Sequence, residues 1–211
     1  MAWGLFASKK EDKKVKTQST VEKKGGNSGN TIIRRKIVLA GDGGTGKTSL
    51  IKRFVDNTFD EKYIHTIGTN VSKKVIPFKK EKIDLRLMIW DVQGQKNKYI
   101  ESLFSGAKGA MLVCDITRIE TLEHLDDWLF AVYEQCGFIP VVIMGNKIDL
   151  SENALFGEEE LRVLVNKIKS KVKSYAEFYM SSAKTGEGVV EAFQDLGKQV
   201  IGDPKDPGTE D

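Results

Sequence analysis

Residues 40–50 read AGDGGTGKTSL and follow the β-branched apolar run RRKIVLA. Gly41, Gly43, Gly44 and Gly46 fall within six positions, and Lys47 and Thr48 close the stretch. This is the pattern G-x-x-x-x-G-K-[ST], placed after a predicted strand and before a predicted helix, the context that gives the motif meaning. Glycines let successive backbone N–H groups converge on phosphate oxygens with no Cβ in the way. A helix opening near Gly46 adds its positive end to the same place. Lys47 is expected to reach the β- and γ-phosphates, and the Thr48 hydroxyl to ligate Mg²⁺. The phosphate-binding segment therefore comprises Gly41, Asp42, Gly43, Gly44, Thr45, Gly46, Lys47, Thr48 and Ser49.

A phosphate cradle does not select a base. MGNKIDL, residues 144–150, follows a buried apolar run. Asp149 can accept from both N–H groups on guanine's Watson–Crick edge. Adenine lacks both donors and would leave that carboxylate unpaired, which is costly. Asn146 can reach the other side of the ring, and Lys147 can lay its stem along the base. SSAKTG, residues 181–186, follows the last apolar run. There the Ala183 N–H is expected to meet the guanine carbonyl beside Ser182, with Lys184 flanking the ring. Each tetrapeptide alone is a weak signal; both, in order and each at a strand end, point to guanine.

These loops need a scaffold that brings strand ends together. Apolar runs at 36–40, 85–90, 110–114, 139–144 and 177–180 read as buried strands of a mostly parallel sheet. VSKKVIPF at 71–78 fits an edge strand, because Pro77 removes a ladder donor, and KKEK at 79–82 is its hairpin turn. Leu122, Leu125, Trp128, Leu129 and Val132 recur at helical spacing after Thr121, which is expected to cap that helix. Leu161, Leu164, Val165, Ile168 and Val172 mark another helix, and Val189, Phe193, Leu196 and Val200 the last. Alternating strands and helices predict an α/β fold, a six-stranded mostly parallel sheet with helices on both faces. Ligands bind such sheets at the carboxyl ends of the strands.

The chain has 211 residues, long enough for one full core with tails. Its net charge of +3 is uneven: residues 1–30 carry seven lysines against three acids, which leaves the remainder slightly acidic. The basicity therefore belongs to a tail, and no nucleic-acid partner is expected. Residues 1–30 are Lys-rich and then Gly/Asn/Ser-rich, and residues 203–211 are polar with two prolines; both are expected to be disordered, with the folded domain spanning 31–202. Neither a signal peptide nor a spanning run is visible. Cys114 and Cys136 are not spaced as a metal or redox pair, which fits a reducing, cytoplasmic setting. Cys114 reads as core and Cys136 as a helix end. His65 and His124 read as isolated, and Trp128 as core packing.

With these motifs in place, residues 34–202 resemble the Ras superfamily of small GTPases, most of all its Rab-like branch. The resemblance also rests on YIHTIG at 63–68, IWDVQGQ at 89–95 and YIESLFSGAKGAMLVCDIT at 99–117. It implies a P-loop NTPase G domain over 31–202. It implies that Thr66 coordinates Mg²⁺ and touches the γ-phosphate, and that Asp91 holds Mg²⁺ through water. Gly94 would offer its N–H to the γ-phosphate, Gln95 would orient the attacking water, and Phe59 would pack against guanine. Catalysis would thus fall to Gln95, Lys47 and Thr66, with slow intrinsic GTP hydrolysis because no arginine is evident in cis. Loss of the γ-phosphate would release residues around 60–70 and 93–104 as an order–disorder switch. GTP-state effectors, a GTPase-activating protein and a guanine-nucleotide exchange factor are the implied partners of a monomer.

The chain departs from the family pattern in several places. Lys96 stands where an acid is usual, so the ordinary exchange mechanism does not carry over. Trp90 keeps one member of the Rab aromatic triad, but Val71 and Leu103–Phe104 replace the others, and Gln93 replaces a small residue. The C-terminus offers no cysteine for prenylation. Trp3, Leu5 and Phe6 ahead of the lysines could rest on an anionic membrane surface; a solvated tail is the plainer reading. Two functions stay open: a GTP-hydrolysing switch in trafficking or signalling, and a nucleotide-locked GTP/GDP-binding module.

Overall fold

The computed structural model describes residues 21–22, 29–60, 69–94 and 102–202. Seven strands form one sheet: β1 (Val21–Glu22), β2 (Thr31–Ala40), β3 (Thr69–Phe78), β4 (Ile83–Val92), β5 (Gly109–Asp115), β6 (Val141–Asn146) and β7 (Ala176–Ser181). The main path runs β3-β4-β2-β5-β6-β7. Every neighbouring pair on it is parallel except the β3–β4 hairpin. The helices are α1 (Lys47–Asp56), α2 (Ile119–Glu123), α3 (Leu125–Cys136), α4 (Glu158–Lys171) and α5 (Val189–Ile201), with a 3-10 stretch at Ile148–Asn153. The expected α/β fold and six-stranded path are present.

All residues of β5 and β6 are buried, because helices cover both faces of the sheet. Along β2, Val38 and Ala40 join the cluster under α3 and α4, with Trp128, Leu161 and Ile168. Ile37 and Leu39 point the other way, into the cluster of α1 and α5 with Leu50, Phe54 and Phe193. The helical repeats 161–168 and 189–200 are these buried faces. β3 lies at the edge, and its Pro77 opposite Asp84 removes no bond from the sheet interior.

Two expectations need correction. Residues 1–30 were expected to be wholly without structure, yet β1 pairs antiparallel with β2, Val21 opposite Ile33. The reason is register: β5 meets β2 only from Ile37 onward, so the first half of β2 has an open edge. Thr121 is not a helix cap. It is buried inside α2, where its hydroxyl accepts from the Asp115 N–H (2.9 Å) and donates to Arg118 O (2.7 Å). The single helix expected after it is two, with His124 at the junction.

Candidate functional site: a phosphate loop and a base pocket

The loop between β2 and α1 lies at the carboxyl end of the central strand. Gly46 is the N-cap of α1 at φ 98°, and a Cβ there would fall 2.3 Å from Asn146 Nδ2. Only glycine fits. Lys47 is buried, and its ammonium donates to Gly41 O (2.7 Å) and Asp42 O (2.8 Å). Thr45 Oγ1 also donates to Asp42 O (3.0 Å), and Arg118 Nη1 donates to Gly43 O (2.9 Å). In a trans peptide the C=O and the following N–H point in opposite directions. With these carbonyls engaged, the N–H groups of Asp42, Gly43 and Gly44 face away from Lys47, Thr45 and Arg118. Burial lowers the Lys47 ammonium from 10.5 to about 8, against the opposing pull of Asp91 and Asp42. Bound polyphosphate would raise it again.

Thr48 Oγ1 donates to Asp91 Oδ2 at 2.5 Å. Asp91 is buried at the end of β4, and its Oδ1 has no hydrogen-bond partner. Burial raises its carboxyl above the usual range, while Thr48 and then the charges of Lys47 and Lys52 pull it down. A bare buried carboxylate oxygen beside a hydroxyl suits a hard divalent cation. The described residues hold no cluster of three or more His, Cys, Asp or Glu. Mg²⁺ is commonly held by one or two carboxylates together with waters and phosphate oxygens. Gly94 lies directly on the loop: a Cβ there would meet Gly43 N at 2.3 Å.

The base side is built from β6, β7 and α1. Asn146 is 1 % exposed and joins three segments. Its Nδ2 donates to Thr45 O (2.8 Å), and its Oδ1 accepts from Ala183 N–H (3.1 Å) and Ser181 Oγ (3.4 Å). Asn146 and Ala183, both expected at the base, also bond each other, so Asn146 braces the pocket while its Nδ2 carries a second N–H beyond the one given to Thr45 O. Lys147 takes a left-handed conformation (φ 73°), and its ammonium pairs with Asp115 Oδ2 at 2.6 Å. Asp149 Oδ1 accepts from Ser182 Oγ at 2.5 Å, which fixes the carboxylate at the pocket. Arg53 of α1 donates to Ala183 O (2.8 Å) and Lys184 O (2.6 Å), holding the 183–184 loop from below. Phe59 is partly buried against the same cluster that contains Ala183.

The Ras family model matches residues 36–202, most of the chain and nearly all of the described fold. The chain belongs to the Ras family. It is a small GTP-binding switch protein with the family's P-loop α/β fold. Ras-family proteins generally work with exchange factors, activating proteins and effectors.

Among this Ras-family chain's expected site residues, Thr66 and Gln95 lie outside the described residues, as do His65, Lys96 and the Trp3–Phe6 stretch. No described helix is long and apolar enough to cross a membrane. Cys114 is buried in β5, and Cys136 ends α3, both as read from sequence. One expectation needs correction, that for His124. His124 is not isolated: its Nδ1 lies 2.6 Å from Asp42 Oδ2. Trp128 is core, but its indole N–H also reaches Asp42 Oδ1 (2.8 Å). Arg118 also comes to the phosphate loop, through the Gly43 carbonyl, a contact that no motif in the sequence announced. The one available signal was Asp42 itself, a carboxylate in a loop built for anions and therefore in need of donors.

Proposed function

We propose that this Ras-family chain binds GTP with Mg²⁺, hydrolyses it slowly to GDP, and passes the difference between the two states to partner proteins. The observation that carries the reading is the Thr48–Asp91 pair, with Asp91 Oδ1 bare and buried beside Lys47. Thr48, Asp91 and Thr66 would hold the metal, which supplies charge neutralisation at the phosphates. Lys47 would bind the β- and γ-phosphate oxygens as a buried cation. The remaining N–H groups of the 41–49 segment would complete the cradle, Ser49 included, and Gly94 would offer its N–H at the γ-phosphate end. Gln95 would position the attacking water. Positioning and charge carry most of such a reaction, so little covalent chemistry is asked of the protein.

Guanine selection would rest on Asp149, oriented by Ser182, and on Asn146 at the other side of the ring, with Lys147, Ala183, Lys184 and Phe59 closing the pocket. The Rab-like resemblance supports a role in membrane trafficking or signalling. Its partner surface would include Val71, exposed on β3 opposite Trp90 of β4. The N-terminal tail would give weak contact with an anionic membrane. Loss of liposome cosedimentation on deleting residues 1–24 supports that part, and no binding by the intact chain removes it.

Single-turnover hydrolysis of bound GTP with Mg²⁺, on wild type and Gln95→Leu, tests the main reading, together with identification of the copurifying nucleotide. Slow hydrolysis that Gln95→Leu slows further supports it. Bound guanine nucleotide with no turnover in either protein favours the nucleotide-locked module. Absence of guanine nucleotide overturns both.

A further inference from the structure

Asp42 puts a carboxylate into a loop whose proposed ligand is a polyanion. Its two oxygens are both engaged from outside the loop, by His124 Nδ1 at 2.6 Å and Trp128 Nε1 at 2.8 Å. The next peptide is engaged as well: Arg118 Nη1 donates to Gly43 O at 2.9 Å, while its Nε is held by Glu120 at 2.9 Å. These three donors come from the β5–α2 loop, the α2–α3 junction and the body of α3. They line one cavity of about 380 Å³ with Asp42, Gly43, Gly94 and Asp127.

We propose that Arg118, His124 and Trp128 are positioning residues for the phosphate loop, and that protonation of His124 sets how firmly the loop retains nucleotide. The inference rests on the reading that residues 41–48 bind the phosphates. Arg118 fixes the plane of the Gly43–Gly44 peptide with its oxygen outward, which turns the Gly44 N–H the opposite way. A charged donor on that oxygen also polarises the N–H as a phosphate donor. His124 and Trp128 fix the Asp42 side chain, and the imidazolium offsets the carboxylate's repulsion of phosphate.

The charged groups facing His124 among the described residues are Asp42 from the phosphate loop, and Asp127 and Glu123 from its own helices; Arg118 lines the same cavity. The three acids hold the imidazolium above its ordinary range, Asp42 most strongly through its hydrogen bond. Below that raised value His124 is charged and the loop is compensated. As pH rises through it, the Asp42 charge is left facing the phosphates. His124 is half-exposed, so salt screens the effect and low ionic strength is the condition that reveals it.

The test is the release rate of a fluorescent GDP from the Mg²⁺-loaded full chain between pH 5.5 and 8 at low salt. In wild type, release accelerates several-fold as pH rises through the His124 titration. In His124→Gln, which can donate but carries no charge, release is fast throughout and the rise disappears. Ionisation of the nucleotide is common to both proteins, so only the difference between the profiles is read. Parallel profiles overturn the role of His124. Arg118→Ala should speed release about tenfold at every pH, the scale of losing one charged hydrogen bond, and Arg118→Lys should recover part of it. Unchanged release in Arg118→Ala overturns the clamp. If the variants do not fold, wild type still decides the linkage by NMR. The His124 titration must shift upward when GDP is replaced by a non-hydrolysable GTP analogue, and an unmoved titration overturns it. A wild-type chain that retains no guanine nucleotide at any pH fails the underlying reading instead.

Discussion

Arg53 donates its Nε to Ala183 O at 2.8 Å, joining the first helix after the phosphate loop to the loop after the last strand. Its Nη2 adds a bond to Lys184 O at 2.6 Å. The two ends of the nucleotide site are therefore parts of one rigid unit rather than separate loops. Arg53→Ala should free the 183–186 loop and speed GDP release about tenfold, since hydrogen bonds from a charged group contribute on the order of 1.5–3 kcal/mol and this one is partly exposed. Arg53→Lys should recover less than half, because an ammonium lacks the fork that spans two carbonyls. Fluorescent-GDP dissociation checks both; an unchanged rate means the loop holds itself.

Asp91 is buried with one oxygen bare, and its carboxyl is raised by burial. A carboxyl raised in the folded state binds its proton more tightly there than when unfolded. Its charge therefore costs stability, and the cost grows as pH climbs from the usual carboxylate value through the raised one. Asp91→Asn removes that cost. In EDTA the variant should melt no lower than wild type, whereas the stabilisation that Mg²⁺ gives the GDP-bound wild type should be absent from it. Equal gains from Mg²⁺ in both proteins would remove Asp91 from the metal site.

Ser182 Oγ holds Asp149 Oδ1 at 2.5 Å. Without that hydroxyl the carboxylate can rotate away from the guanine edge. Ser182→Ala should weaken GDP binding about tenfold and narrow the preference for guanine over adenine nucleotides, measured by competition. Weaker binding with an unchanged base preference would show that Ser182 supports the loop but not the selectivity.

The Lys47 ammonium is lowered to about 8 by burial, chiefly desolvation. Phosphate binding must raise it again, so the bound state holds more proton than the free state. In a His124→Gln background, where the imidazole no longer contributes, affinity for Mg²⁺–GDP should be level below about pH 8 and fall as pH rises above it, by up to about tenfold per unit. Equilibrium competition at pH 7, 8 and 9 reads this directly. Affinity that is flat across the series would mean that Lys47 is not the phosphate-binding cation.

The parts legible in the sequence are those written in local spacing. Gly46-Lys47-Thr48 marked the start of α1, and Leu161 to Ile168 marked a buried helix face. The glycine pattern also located the loop, because its backbone geometry excludes side chains at fixed positions. What escaped were single polar pairs between distant segments. Asp42 meets His124 across 82 positions, and Arg53 meets Ala183 across 130. No periodicity announces one hydrogen bond, and a lone histidine or arginine looks the same whether solvated or engaged. Asn146 was assigned to the base because its neighbours point there; what spacing did not show is that its amide also ties Thr45 O to the Ala183 N–H. Thr121 resembled a cap because a hydroxyl near a helix start serves equally well one turn inside it. β1 depended on a register difference between β2 and β5, which only the assembled sheet reveals.

That short strand has a mechanical consequence. Val21 enters the sheet beside Ile33, and the phosphate loop leaves the same strand at Gly41. Eight residues of extended chain separate the two points, about 26 Å. The Val21–Glu22 pairing thus lies toward the end of β2 away from the phosphate loop. A pull on the chain ahead of Val21 would therefore load the amino end of β2 first and leave the strand end that carries the phosphate loop to the last.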